Sequence, residues 1–404
     1  MRLRSLRPYH YPALNSGGPI ALQPRPIASR PGRLTAATVF VAATLLLGAC
    51  RGGGDTIVVG LAGPFSEARG RSMLLAARLA VSEINAAGGV RGRQLVLEVE
   101  DDSASNARAI ATALKLRDDP NVVAVVGHLT SGTTIAAADI YNSGANPVVE
   151  LSPSASSPDV TGIGRFTFRV CATDLVHGTA LARFAFQRLG ARTAAVIYQN
   201  DEYGRGIFGT FGEEFRRLGG TIEEADPVLA GGAEVGPYLE RIQRAARAQV
   251  LMLATDRTTG AVILRQARQR GIGLPVMGGD ALAGIQGEGA VAEGVYYSSN
   301  YLPDRPGEKN AGFLRAYSAA NNGEQPDHRG AGAYDAVHLI ADAIHDAGTS
   351  RAAIRDALAA VGTSRAAYDG VTGRIAFDRR GDVTDKTVVI GVVRAGRIVP
   401  AETP

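Results

Sequence analysis

The residues best placed to hold a ligand lie at the end of one apolar run. Val122-Val123-Ala124-Val125-Val126 reads as a strand buried on both faces of a parallel sheet. A short polar turn follows, and Ile135 to Tyr141 then takes up helical spacing. Ser131, Gly132, Thr133 and Thr134 therefore fall at a helix N-terminus, on the carboxyl edge of the sheet. Unpaired N–H groups and the positive end of the helix dipole make such a place an anion site. No phosphate-loop lysine and no metal-ligand spacing accompanies it. The chemistry implied is a small carboxylate held by backbone N–H groups and the Ser131 hydroxyl.

The elements that must position this turn alternate between strand and helix. Thr56 to Leu61 and Gln94 to Glu100 read as strands, with a helix between them that stops at Gly88-Gly89. A helix ending before Pro120, the valine strand and its helix, and the strand Asn146 to Leu151 complete a first doubly wound α/β unit. After Val170 the pattern restarts. Asp174 opens a helix to Leu189, and strands are expected at 194–198, 221–225, 249–254 and 274–277. Asn310 to Ala320, Ala331 to Ala347 and Arg351 to Ala360 read as helices without strands between them, suited to covering a sheet already formed. Thr387 to Val393 is a last strand. No low-complexity linker divides the halves, so several short crossings between two α/β domains are expected.

Composition narrows the function. A chain of 404 residues is too long for one typical core, which favours two domains. Of 43 basic residues, six arginines precede Cys50, where no acidic residue stands; the remaining 37 face 39 acidic ones. That balance argues against nucleic-acid binding. Leu34 to Leu47 is a short apolar run after those arginines, too short for the roughly 20 residues of a spanning helix. With Leu47-Gly48-Ala49-Cys50 at its end it reads as a secretory signal. The ending resembles the bacterial lipoprotein box. Residues 1–49 would then be cleaved, Cys50 acylated to anchor the protein at a membrane outside the cytoplasm, and 50–55 left as a tether. Cys171 is the remaining thiol, expected in the core, and no internal disulfide can form in the mature chain.

Ile84-Asn85-Ala86-Ala87-Gly88-Gly89-Val90-Arg91-Gly92-Arg93, followed by Asp101-Asp102, carries a family resemblance. It continues through Gly127-His128-Leu129, Asp139-Ile140-Tyr141, Ser152-Pro153, Tyr203-Gly204, Leu264 to Arg268 and Met277-Gly278. The chain resembles the leucine/isoleucine/valine-binding proteins, extracytoplasmic receptors of branched-chain amino acid ABC transporters. The resemblance implies a type I periplasmic binding protein fold: two doubly wound α/β domains, three hinge crossings, and an amino-acid ligand in the cleft. Crossings are expected near Cys171–Asp174, Asn300–Leu302 and Asp382–Lys386. The N-terminal lobe would comprise 56–173 and 301–382, the C-terminal lobe 174–300 and 383–400. A monomer that passes its ligand to a permease is implied, with no cofactor, no metal and no catalysis.

The resemblance also assigns roles. Ser131 and Gly132 would meet the ligand carboxylate; the loop Ser154-Ala155-Ser156 would meet carboxylate and ammonium; Tyr203 would be the cleft tyrosine of the second domain, and the acid Asp280 would hold the ammonium. Arg69 and Asp256 stand where the family often has side-chain aromatics. Desolvating an unpaired ion costs several kcal/mol, so a polar or charged amino acid, or a small amide or carboxylate analogue, is expected unless those two pair with each other or turn to solvent. Two other readings compete. Gly204-Arg205-Gly206-Ile207-Phe208-Gly209 with Glu224 matches a dinucleotide fingerprint, although Gln199 to Tyr203 separates it from its strand. A ligand-sensing receptor on the same scaffold is the other. His338 and His345 share a helical face but lack a third metal ligand.

Overall fold

The computed structural model describes residues 56–232, 234–245 and 247–401. The leader, Cys50 and the tether 50–55 lie outside them. The first unit opens with β1 (Ile57–Gly63), α1 (Ala68–Ala86), β2 (Leu95–Asp101), α2 (Asn106–Asp118) and β3 (Val122–Val126). It continues with α3 (Ser131–Asn142), β4 (Val149–Ser152) and β5 (Thr167–Arg169). All five strands are parallel, in the order β2-β1-β3-β4-β5. β3 is buried at every position, as a central strand covered on both faces should be.

The chain then passes to α4 (Asp174–Arg183), β6 (Thr193–Gln199), α5 (Glu202–Arg217), β7 (Thr221–Val228), α6 (Gly236–Ala245), β8 (Val250–Ala254), α7 (Arg257–Gln269), β9 (Val276–Gly278) and β10 (Tyr296–Ser299). It returns through α8 (Glu308–Ala320), α9 (His328–Ala347), α10 (Arg351–Ala359) and a small hairpin, β11 (Tyr368–Gly370) with β12 (Gly373–Ile375). β13 (Val389–Arg394) and β14 (Arg397–Pro400) close the second sheet, ordered β14-β13-β10-β9-β8-β6-β7. Its last two strands are antiparallel additions. The architecture is two α/β domains joined by three crossings, with a cleft between them.

Why the late helices join the first sheet is visible in the packing. Val337, Ile340 and Ile344 of α9 and Ile354 and Leu358 of α10 share one buried cluster with Val59, Leu61 and Met73. Arg351, only 6% exposed, fastens that arrangement. Its guanidinium donates to the carbonyls of Val122, Arg117, Asn146 and Asp119 at 2.9, 2.8, 2.8 and 2.6 Å. Several element limits differ from sequence expectation. The helix expected from Asp174 to Leu189 is α-helical only to Arg183, then passes through a wide turn at Phe184–Arg188. α9 begins at His328 rather than Ala331, because Asp327 caps it by accepting from the amides of Arg329 and Gly330 at 3.0 and 3.1 Å. β10, β14 and the hairpin β11–β12 differ from sequence expectation; strands of three or four residues carry too few alternating positions to stand out.

Candidate functional site

A cavity of about 520 Å³ opens where the carboxyl ends of the two sheets face each other. Strand-to-helix turns of both domains supply its walls, as expected at the strand ends of open α/β sheets. On the first side, Thr130 caps α3 by accepting from Thr133 N at 3.3 Å, so the Ser131 and Gly132 amides have no intrahelical acceptor. Ser131 lines the cavity, and its hydroxyl accepts from Ser157 N at 3.1 Å. That bond ties the helix start to the loop 152–158.

The loop is held from behind by Arg169, which is fully buried. Its guanidinium donates to the carbonyls of Ala155 (3.1 Å) and Ser157 (2.7 Å) and, through Nε, to Asp382 at 2.7 Å. Ser154 lines the cavity; Ala155 and Ser156 lie behind it. The Ala155 carbonyl is therefore already taken, by Arg169 and by the Cys171 thiol at 3.5 Å. Gly132 also stays off the cavity wall and sits against the other domain, where an added Cβ would come within 2.7 Å of Glu202 Oε2.

On the second side Asp280 follows β9 and is 2% exposed. Tyr203 Oη donates to its Oδ1 at 3.1 Å and accepts from Ala281 N at 3.2 Å. Burial holds the Tyr203 phenol well above its ordinary value, so it remains a donor. This contact requires Gly279, where a Cβ would lie 2.2 Å from Tyr203 Oη. Two imidazoles face the other carboxylate oxygen: His328 Nε2 at 3.5 Å and His177 Nε2 at 4.0 Å. Burial lowers both, His328 to about 4, so both are neutral near pH 7. Among the described residues no arginine or lysine lies within ion-pair distance of Asp280. A buried carboxylate without a fixed cation is a place for a ligand's cation.

Arg69 and Asp256 both line the cavity, and they pair across it at 3.7 Å, with Glu67 also on Arg69 at 2.6 Å. The exception named from sequence therefore applies, and these two residues do not by themselves disfavour an apolar ligand. Asp256 further caps α7 by accepting from Thr259 N at 2.8 Å. Sequence reading passed over His177, His328, Asp327, Arg329, Gln199, Asp201 and Arg257. Pro326-Asp327 ahead of a helical run was the one available signal, since it marks where α9 starts.

The glycines of the dinucleotide-like motif lie inside α5, beginning three residues after its cap Asp201. A Cβ at Gly204 would lie 2.0 Å from the Gln199 carbonyl, and one at Gly206 would lie 2.7 Å from Asp174 Oδ2. They allow close packing rather than form a phosphate turn. Among the described residues no group of three His, Cys, Asp or Glu side chains could hold a metal ion. No helix there is long and apolar enough to cross a membrane.

Fold and cleft together define a type I periplasmic binding protein, a solute-binding scaffold rather than an enzyme. A family model described as periplasmic binding protein matches residues 57–397. The chain belongs to that family, among the Leu/Ile/Val-binding proteins of ABC transporters. It is 30% identical over 346 residues to the leucine-, isoleucine-, valine-, threonine-, and alanine-binding protein of Pseudomonas aeruginosa, covering 81% of this chain and 87% of the relative. The branched-chain amino acid transporter substrate-binding protein of Streptococcus pneumoniae, solved with isoleucine, matches with a TM-score of 0.78 at 28% identity, over 86% of this chain and 99% of that one. An ABC transporter substrate-binding protein from Desulfitobacterium hafniense, solved with Leu, gives 0.74 at 30% identity, over 86% and 100%.

Proposed function

We propose that this protein captures an α-amino acid, or a similar small carboxylate, in the cleft and delivers it to an ABC permease. The observation that carries this reading is Asp280: buried, given a hydrogen bond by Tyr203, flanked by neutral imidazoles and, among the described residues, without an arginine or lysine at ion-pair distance. It faces, across one cavity, the free amides at the start of α3. An ammonium at Asp280 and a carboxylate at Ser131 would satisfy both ends. The loop 154–156 would add the Ser154 side chain and backbone to the carboxylate end, with the buried, unpaired Ser156 hydroxyl and Gly132 behind it. Arg69 and Asp256 would close over the ligand side chain. The relatives named for amino acids agree with this chemistry.

In this reading the lobes are 56–173 with 301–382, and 174–300 with 383–400. The chain acts as a monomer outside the cytoplasm, anchored through acylated Cys50 after loss of 1–49. Mass spectrometry of cell-made protein showing Cys50 without lipid would remove the anchor from the proposal. For the site, a micromolar dissociation constant needs about −8.2 kcal/mol. Charge-assisted hydrogen bonds contribute about 1.5–3 kcal/mol each, so losing one should be plain. Calorimetry is expected to show Ser131→Ala and Asp280→Ala each weakening amino-acid binding about tenfold or more. Unchanged affinity in both variants would sink the assignment.

A further inference from the structure

Beside the amino-acid cavity lies a second one of about 250 Å³. The two share Ala68, Ala283, Gly284 and Asp327 in their walls, so they are neighbouring compartments of one cleft. Three of these four are small: Ala68 from the start of α1 and Ala283-Gly284 from the loop after Asp280. The fourth shared residue, Asp327, is held by Arg329 at 2.8 Å. The side of the wall formed by Ala68, Ala283 and Gly284 is where a ligand side chain leaving Asp280 would enter the second space.

The second compartment holds acceptors with nothing to accept. Gln286 Oε1 is buried and has no hydrogen-bond partner, and Gln286 lines this cavity. His328 also lines it; its Nε2 faces Asp280 and Ser154 at 3.5 and 3.2 Å, while its Nδ1 is buried without a partner. A buried polar atom left unsatisfied costs about 1–3 kcal/mol, so such atoms mark where a polar group belongs. Charge points the same way. Five carboxylates against three guanidiniums line the first cavity, an excess of two negative charges before any ligand arrives. The second adds only Glu324 and Arg71, which pair with each other at 2.7 Å, so the excess over both compartments stays at two. A zwitterionic amino acid is neutral and leaves that imbalance in place; a ligand with an additional positive charge reduces it.

We propose that the preferred ligand is an α-amino acid whose long side chain ends in a cationic hydrogen-bond donor, of the arginine or lysine type, with its tip at Gln286. This rests on the amino-acid reading of Ser131 and Asp280 and specifies the substrate class of that site. The side chain's methylenes pass the small wall at Ala68 and Gly284, and its donor meets the Gln286 carbonyl oxygen. Alanine, with one methyl group, stops in the first cavity.

Calorimetry of the purified protein with arginine, lysine, leucine, glutamate and alanine tests this. Arginine or lysine should bind about tenfold or more tightly than leucine, the size of one charge-assisted hydrogen bond. Gln286→Leu should weaken that binding severalfold and leave alanine unchanged, whereas Gln286→Glu should strengthen it. Leucine or glutamate binding most tightly would overturn the cationic class while leaving the amino-acid site standing. Arginine binding most tightly yet indifferent to both Gln286 variants would overturn the placement of its tip. Binding of none of the five would refute the amino-acid reading and this inference with it.

Discussion

Asp280 is one carboxylate, yet its surroundings decide what it can do. Tyr203 donates to it, and two imidazoles face its other oxygen at 3.5 and 4.0 Å without a fixed positive charge, which leaves room for a ligand's cation. The same burial has a consequence for stability. His328, with 1% of its side chain exposed, is lowered from 6.5 to about 4 chiefly by desolvation. In the unfolded chain it takes up a proton at higher pH than in the folded one. Stability is therefore full above about pH 6.5 and falls as pH drops toward 4, by about 3 kcal/mol from this residue. His177 and His338 are lowered by burial as well and act in the same direction. Urea unfolding at pH 7 and pH 4.5 should show the loss, and His328→Gln should reduce it. An unchanged pH slope in that variant would contradict this account. Cys171 is inert by the same physics: burial pushes its thiol up to about 12.

At the scale of elements, Arg169 does the most with one side chain. It stands at the end of β5, where the chain leaves the first sheet, and reaches both the loop 152–158 and Asp382. One buried guanidinium thus links the first crossing, the third crossing and the loop carrying Ser154. A fully buried ion pair adds little relative to an apolar replacement of both partners, but removing one partner strands the other. Arg169→Met should destabilise the fold by about 3–5 kcal/mol in chemical denaturation. Arg169→Met with Asp382→Leu should recover part of that. A double variant as unstable as the single one would mean that the carbonyl contacts, not the ion pair, dominate. Arg351 does comparable work at the far end, holding α10 to the turns around β3.

The whole molecule is two domains that touch across the cleft through few groups. Arg69 meets Asp256 at 3.7 Å, Arg329 Nη2 donates to the Ala281 carbonyl at 3.3 Å, and His328 faces Asp280 at 3.5 Å. The one ion pair among them, Arg69–Asp256, is partly exposed and contributes about 0–1 kcal/mol. A ligand bridging both domains shifts the balance by its differential affinity for the closed arrangement. Small-angle scattering should therefore record a smaller radius of gyration at saturating ligand. Arg69→Ala should enlarge the difference between free and bound protein by favouring the open form. A radius unchanged by a ligand shown to bind would exclude hinge closure.

Much of this was determined by local sequence. The valine run of β3, the alternation of strands and helices and the glycine stops specify two α/β units, because strand and helix periods are properties of neighbouring residues. Ser131 at a helix start and Asp280 after a strand are legible for the same reason, since sheet edges are where such turns fall. Ser154, Tyr203, Arg69 and Asp256 line the same cavity as those two, on positions read through a family resemblance. Only the tertiary structure decided that Arg69 pairs with Asp256 and that the Ala155 carbonyl is spent on Arg169. It alone brought His177 and His328, 151 positions apart in the numbering, to one carboxylate. The second compartment belongs to the same class, walled by α1, the loop after β9 and the start of α9. Periodicity reports which face of an element is buried, whereas charge pairing and cavity walls depend on which distant faces meet, and packing alone settles that.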